Sequence, residues 1–257
     1  MNFITILVCF LASAAAGIGT GFAGMSAAAV IGPMLSCFLD IPIYHAIGIG
    51  LASDVIASLI SAYNYKKGGN LDIKNSLILL VTVLVMTIIG SYVGSLVPER
   101  AMNSTMQIAM ILLGIKFLIK PVNKIRENQE LESKKKRITK SIIGGIFIGF
   151  ICGFVGAGGG MMMLFVLTTF LGYSLHTAVG TSVFIMAFTA FTGGVSHFAI
   201  GGLPDIPCLI LCIVFTVIWA QIASKIANKS KPATLNRVVG LVLIITSLVI
   251  LSVNYLF

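Results

Sequence analysis

The chain has 257 residues, of which 58% are apolar and 10% charged, with a mean hydropathy of +1.06 and a net charge of +9. A soluble domain carries roughly 25% charged residues, so a water-soluble enzyme or nucleic-acid-binding domain is excluded. The basic residues sit in loops between apolar segments, and cytoplasmic placement of those loops explains the charge without a nucleic-acid partner.

In chain order the first half predicts five apolar segments: a (Phe3–Phe22), b (Ser26–Leu39), c (Tyr44–Tyr65), d (Ser76–Val97) and e (Met102–Ile119). Segment b is short for a span, which needs roughly 20 residues. Phe3–Phe10 followed by Ala12-Ser13-Ala14 imitates a signal peptide, but a basic leader is absent and the apolar run continues, so a retained first membrane helix is expected. A polar linker then carries Lys120, Lys124, Arg126, Lys134, Lys135, Lys136, Arg137 and Lys140. The pattern restarts as a′ (Ser141–Val155), b′ (Gly160–Leu171), c′ (Leu175–Ile200), d′ (Ile206–Ile226) and e′ (Leu235–Leu256). The domains expected are a first transmembrane repeat over 1–119, a basic cytoplasmic linker over 120–140 and a second repeat over 141–257.

A repeat underlies this pattern. A gapless shift of 132 residues lays Gly17–Asp72 on Gly149–Pro204 with 11 identities in 56 positions, five of them glycine. Gly17, Gly21, Phe22 and Gly24 fall on Gly149, Gly153, Phe154 and Gly156, and Ala46 and Gly48 on Ala178 and Gly180. Gly149–Gly160 is too rich in glycine for a continuous helix, since each costs about 1 kcal/mol against Ala, and its flanks are too apolar for a surface loop. It reads as a hydrophobic helix that stops, opens its backbone at Ala157–Gly160 and restarts. Paired breaks at matching places in two halves point to a transporter's binding site.

The basic linker belongs on the cytoplasmic side. Counting segments from it puts the turn Pro98-Glu99-Arg100 and the loop Gly201–Asp205 outside, and the loops bearing Lys66, Lys67 and Lys74 and bearing Lys225, Lys229 and Lys231 inside. Equivalent loops of the two halves then face opposite sides. The expected fold class is an all-α polytopic membrane protein of two inverted-topology repeats with Gly-broken short helices. A parallel arrangement of the halves is the alternative.

The candidate substrate-binding residues follow from the breaks. Where b and b′ restart, free N–H groups and the helix dipole favour an anion, which selects Gly24, Met25 and Ser26 with Gly156, Gly158, Gly159 and Gly160. Close packing by small residues is the other reading of these glycines. Gly48 and Gly50, and Gly180, Thr181 and Ser182, lie at the starts of c and c′. Thr181 and Ser182 either donate to an oxyanion or bond back to their own helix. Asp54 is the only acid well inside an apolar segment. Such a residue costs about 3 kcal/mol on insertion scales and marks a function: proton or Na⁺ coupling, or a structural partner for broken backbone. Met186 holds the equivalent place. His45, His176 and His197 read as interfacial or capping residues, and the five cysteines as packing residues. No catalytic set, metal cluster or cofactor motif is legible.

The runs GIGTGFAG (Gly17–Gly24), Ala46-Ile47-Gly48 and YKKGGNLD (Tyr65–Asp72), repeated as GFICGFVGAGGG (Gly149–Gly160), AVGTS (Ala178–Ser182) and HFAIGGLPD (His197–Asp205), resemble the sulfite exporter TauE/SafE family over nearly the whole chain. The resemblance implies a bacterial inner-membrane transporter of sulfur-containing anions such as sulfite, sulfoacetate or other organosulfonates. The expectation is therefore a non-enzymatic secondary transporter in the cell membrane. Its partners are the bilayer, a small anionic solute, and a proton or Na⁺, with a homo-oligomer left open. An anion channel or a non-transporting assembly subunit are the rivals.

Overall fold

A computed structural model describes residues 2–94, 108, 111–112, 114–119, 134–155 and 159–256. The turn at Pro98-Glu99-Arg100, most of segment e, residues 120–133 and Gly156–Gly158 lie outside the described residues. The helices are α1 (Phe3–Ala23), α2 (Ala28–Leu39), α3 (Ile43–Lys67), α4 (Ile73–Gly94), α5 (Lys134–Val155), α6 (Gly159–Phe165), α7 (Leu175–Gly201), α8 (Ile206–Lys229) and α9 (Pro232–Leu256). α6 runs directly into a π-helical turn, Val166–Phe170, and residues 114–119 are also helical. No strand occurs among the described residues. The fold is all-α, as expected. One boundary differs: α5 begins at Lys134, inside the basic stretch, because Lys and Arg are good helix formers.

Among the described residues, five helices are long and apolar enough to cross a membrane: Phe3–Ala23, Ile43–Lys67, Leu175–Ala199, Ile206–Lys229 and Pro232–Val249. The distribution of side chains suits lipid. Large apolar residues such as Phe3, Ile88, Phe191 and Ile245 face outward, and the interior mixes Leu, Ile and Val with many Ala, Gly and Ser and with Thr20, Asp54 and Asn64. Lipid tails are as apolar as Leu, so burying Leu gains little there. Helices associate instead through close backbone approach and interhelical hydrogen bonds.

Glycine supplies that approach. α1 packs along α8: a Cβ at Gly17 would lie 2.6 Å from the Thr216 carbonyl oxygen and 2.8 Å from Trp219 Cβ, and one at Gly21 would lie 2.5 Å from Ala223 Cβ. α5 packs along α4 in the same way, with Gly149 against the Val83 carbonyl (2.5 Å) and Met86 Cβ (2.7 Å). Gly17 and Gly149 are related by the 132-residue shift.

α3 packs on α7 with the two helices antiparallel. Gly48 faces His197 and Phe198, Gly193 faces Leu51, and Gly180 faces Tyr65. At one end of this pair the α3–α4 loop meets the end of α8: Asn70 Nδ2 donates to Asn228 Oδ1 at 2.7 Å, and Asn228 Nδ2 to the Asn64 carbonyl at 2.9 Å. The lysines Lys66, Lys67, Lys225, Lys229 and Lys231 are thereby gathered at a single end.

Close packing at Gly17 and Gly149 sets an expected outcome. Gly17→Ala and Gly149→Ala each overpack a helix pair and lower stability by about 1–3 kcal/mol, read as a drop in melting temperature in detergent. Gly194→Ala, whose nearest neighbours stand at 3.7 Å, leaves it unchanged.

Candidate functional site

α1 ends because Gly24 adopts the left-handed conformation, φ 59°, which a side chain resists. The Gly24 amide donates to the Thr20 carbonyl at 3.0 Å and the Met25 amide to the Gly19 carbonyl at 3.2 Å. The Thr20 hydroxyl lies 3.0 Å from the Ala16 carbonyl and 2.8 Å from the Met25 carbonyl. The Gly19 and Thr20 carbonyls near the end of α1 are thus satisfied inside the protein, in the manner a break at membrane depth requires. α2 restarts with Ala29 and Ile31 amides on the Ser26 and Ala27 carbonyls. Its N-cap, Ala27, has no side chain with which to cap it.

An acid from α3 faces this end instead. Asp54, halfway along that helix, is fully buried, and its carboxylate faces the Ser26 hydroxyl and the Ala27 amide. Oδ1 accepts the Ser58 hydroxyl at 3.0 Å, while Oδ2 has no hydrogen-bond partner of good geometry among the described residues. A carboxylate at a helix N-terminus is favoured by the dipole. Asp54 therefore occupies the positive end of α2.

The head of α6 touches this break. A Cβ at Gly160, in the first turn of α6, would meet the Gly24 carbonyl oxygen and lie 2.7 Å from Met186 Sδ and 3.3 Å from the Ser26 nitrogen. One at Gly24 would meet Ser182 Oγ. The heads of α2 and α6, the middle of α3 and the lower part of α7 thus converge, with no room for a side chain at Gly24 or Gly160. The repeat relation is unequal here: Asp54 stands over the head of α2, and Met186, its equivalent, over the head of α6.

Of the residues selected from the sequence, Gly24, Met25, Ser26, Gly160 and Ser182 lie in this cluster, and Gly159 is the first residue of α6. Met25 is buried, its methyl group packed over Gly19. The Ser182 hydroxyl donates to the Val179 carbonyl of its own helix at 2.9 Å, whereas Thr181 Oγ1 is buried with no partner among the described residues. Gly50 seats Ala28, its Cβ position 2.5 Å from Ala28 Cα. Gly48 and Gly180 lie at opposite ends of the α3–α7 pair, against Phe198 and Tyr65. Gly156 and Gly158 fall outside the described residues.

The histidines stand at the ends of helices. His176 Nε2 is 2.9 Å from the Ser230 carbonyl. His197 stacks on Tyr44 with ring centroids 4.2 Å apart, and its Nδ1 is 3.0 Å from the Tyr44 carbonyl. Sequence reasoning passed over two features. One is the network in which Asn64 Nδ2 donates to Gln221 Oε1 (2.7 Å) and Ser224 Oγ (2.8 Å), beside the Asn70–Asn228 bond. No motif marks it. The other is Tyr65, whose hydroxyl donates to the Gly21 carbonyl at 3.0 Å; its equivalence to His197 under the repeat was the available signal. The cysteines are free thiols, and no three His, Cys, Asp or Glu among the described residues could hold a metal.

The model of the sulfite exporter TauE/SafE family matches residues 9–250. Bacillus subtilis has two similar proteins. "Probable membrane transporter protein YdhB" is 27% identical over 96% of this chain and 99% of its own length. "Probable membrane transporter protein YunE" is 26% identical over 95% and 96%. A "probable membrane transporter protein" of Haemophilus influenzae is 29% identical over 80% of this chain and 78% of its own length. No solved structure matches the chain. With its long apolar helices and a match that runs through both halves, the chain is a multi-pass membrane protein that belongs to the sulfite exporter TauE/SafE family.

Proposed function

We propose that this membrane transporter carries a small, sulfur-containing anion such as sulfite, sulfoacetate or another organosulfonate, held where the two helix breaks meet. The observation that carries the reading is the seating of Gly160 against the Gly24 carbonyl and the Ser26 amide, with Ser182 beneath Gly24. Helix heads end in unpaired N–H groups with about half a unit of positive charge. They bind an oxyanion without a buried cation. The Thr181 hydroxyl, buried and unpartnered among the described residues, adds a donor that a solute would satisfy once the breaks part. Ser182 would join it by giving up its bond to Val179.

The reading takes the halves as an inverted repeat. Its support is the antiparallel packing of α3 and α7, which the 132-residue shift relates, and the gathering of lysines at one end. Inverted halves exchange conformations about a fixed central site, and this is alternating access. Asp54 then acts as the coupling acid, with a proton or Na⁺ as the partner ion. Its carboxylate and a solute anion compete for the same positive helix end.

Flux of radiolabelled sulfite and sulfoacetate in proteoliposomes tests the site. Thr181→Val lowers flux by about tenfold or more, the worth of a hydrogen bond to a charged group, with no loss of melting temperature because the deleted hydroxyl had no partner. Gly159→Leu abolishes flux. Unchanged flux in Thr181→Val, Ser182→Ala and Gly159→Leu together removes the assignment.

Coupling is tested separately. Wild-type flux follows an imposed proton or Na⁺ gradient, and Asp54→Asn uncouples it. Wild-type flux that ignores both gradients identifies a passive facilitator instead.

A further inference from the structure

A buried acid that exchanges an ion must reach one bath or the other. We propose that Asp54 exchanges a proton with the lysine-bearing, cytoplasmic end, along a file of polar groups on one face of α3. The route rests on the coupling role given to Asp54 above, and it identifies the ion as a proton and the side from which it comes.

Asp54, Ser58, Ser61 and Tyr65 stand at i, i+4, i+7 and i+11, which puts them on one helix face. All four are fully buried. At about 1.5 Å per residue the file runs about 16 Å, from the middle of α3 to its lysine end. Ser58 donates to Asp54 Oδ1 at 3.0 Å. Ser61 Oγ and Asp54 Oδ2 meet no hydrogen-bond partner among the described residues. A buried hydroxyl without a partner is unfavourable, so a helix that only had to pack would carry Ala at that position. Hydroxyls spaced one turn apart are suited to passing a proton through intervening water.

The opposite half of the same face offers no such route. Continuing outward from Asp54, the positions are Gly50, Ile47 and Ile43. Gly50 is closed against Ala28, and Ile47 packs on Gly32. The equivalent face of α7 carries Met186, Ala190, Gly193 and His197, so the file occurs once. Its cytoplasmic end is shut here by Tyr65, bonded to the Gly21 carbonyl and seated on Gly180, beside the Asn64–Gln221–Ser224 bonds.

Among the described residues, no countercharge competes for the proton. The helices packed on α3 are α1, α2, α7 and α8. α1 and α2 carry no acidic or basic side chain, only the thiols Cys9 and Cys37. The titratable groups of α7 are His176 and His197, at its ends. Those of α8 are Cys208 and Cys212 toward its start and Lys225 and Lys229 at its finish. On α3 itself, Tyr44 and His45 lie at the outer end and Tyr63, Tyr65, Lys66 and Lys67 at the other.

The test needs no transported solute. Dicyclohexylcarbodiimide reacts with a protonated buried carboxyl, and its attachment to Asp54 is read by mass spectrometry in oriented proteoliposomes with the two baths buffered independently. Raising the cytoplasmic-side bath from about pH 5 to about pH 9, across the carboxyl range, is expected to suppress labelling severalfold. Raising only the other bath leaves it. Ser61→Ala slows the response while keeping the wild-type melting temperature, since its hydroxyl had no partner to lose. Asp54→Asn takes no label at that position. Labelling that follows the other bath, that is absent at every pH, or that responds as fast in Ser61→Ala overturns the route. Gradient dependence surviving in Asp54→Asn would count against the coupling role alone, because the labelling readout does not involve flux.

Discussion

The structure depends on one constraint: the head of α6 touches the break between α1 and α2 through positions that have no side chain. Gly24 must be glycine twice over. Its backbone is left-handed, and its Cβ position is filled by the Ser182 hydroxyl. Gly160 reaches the Gly24 carbonyl and the Ser26 amide for the same reason. Interior breaks are tolerated only where the freed backbone groups are satisfied by protein or a water-filled cavity. Here bonds from Gly24, Met25 and Tyr65 satisfy the Thr20, Gly19 and Gly21 carbonyls near the end of α1, and the Thr20 hydroxyl reaches the Met25 carbonyl beyond it. The arrangement costs helix propensity at every glycine and gains, in return, polar backbone at membrane depth.

The rest of the bundle reads as support for that contact. α1 and α5 are each held on a neighbour by glycines that let backbones meet, at Gly17 and Gly149. α3 and α7 pack on each other. This division suits a solvent in which apolar burial has little driving force and close approach has to replace it. Many large apolar side chains, Phe3, Ile88 and Phe191 among them, accordingly face outward, where they meet lipid.

Asp54 breaks the likeness of the two halves. Asp54, from a neighbouring helix, faces the head of α2, whereas α6 has Met186 above it. A carboxyl group in that position faces a helix-end amide and hydroxyls rather than a cation, so any change in its protonation bears directly on the first break. The polar face that leads from it toward the lysine end, and the apolar face that leads the other way, make the inequality of the halves directional.

Much of this was legible in the sequence. Composition and the lengths of the apolar runs determined the membrane class, because a charged residue in hydrocarbon is costly whatever it touches. The glycines around Gly24 marked the end of α1, because no other residue tolerates a left-handed turn and backbone contact at once. The isolation of Asp54 in an apolar run singled it out. What the sequence did not carry was partnership across distance. That Ser26 and Ala27 receive Asp54, that Ser182 spends its hydroxyl on Val179 while Thr181 stays unpaired, that Tyr65 rests on Gly180 and that Asn64 and Asn70 close on α8 were decided by the tertiary structure. These contacts join residues from separate helices, and a helix fixes only which face a residue occupies. Which neighbour that face meets is settled by the packing of the whole bundle.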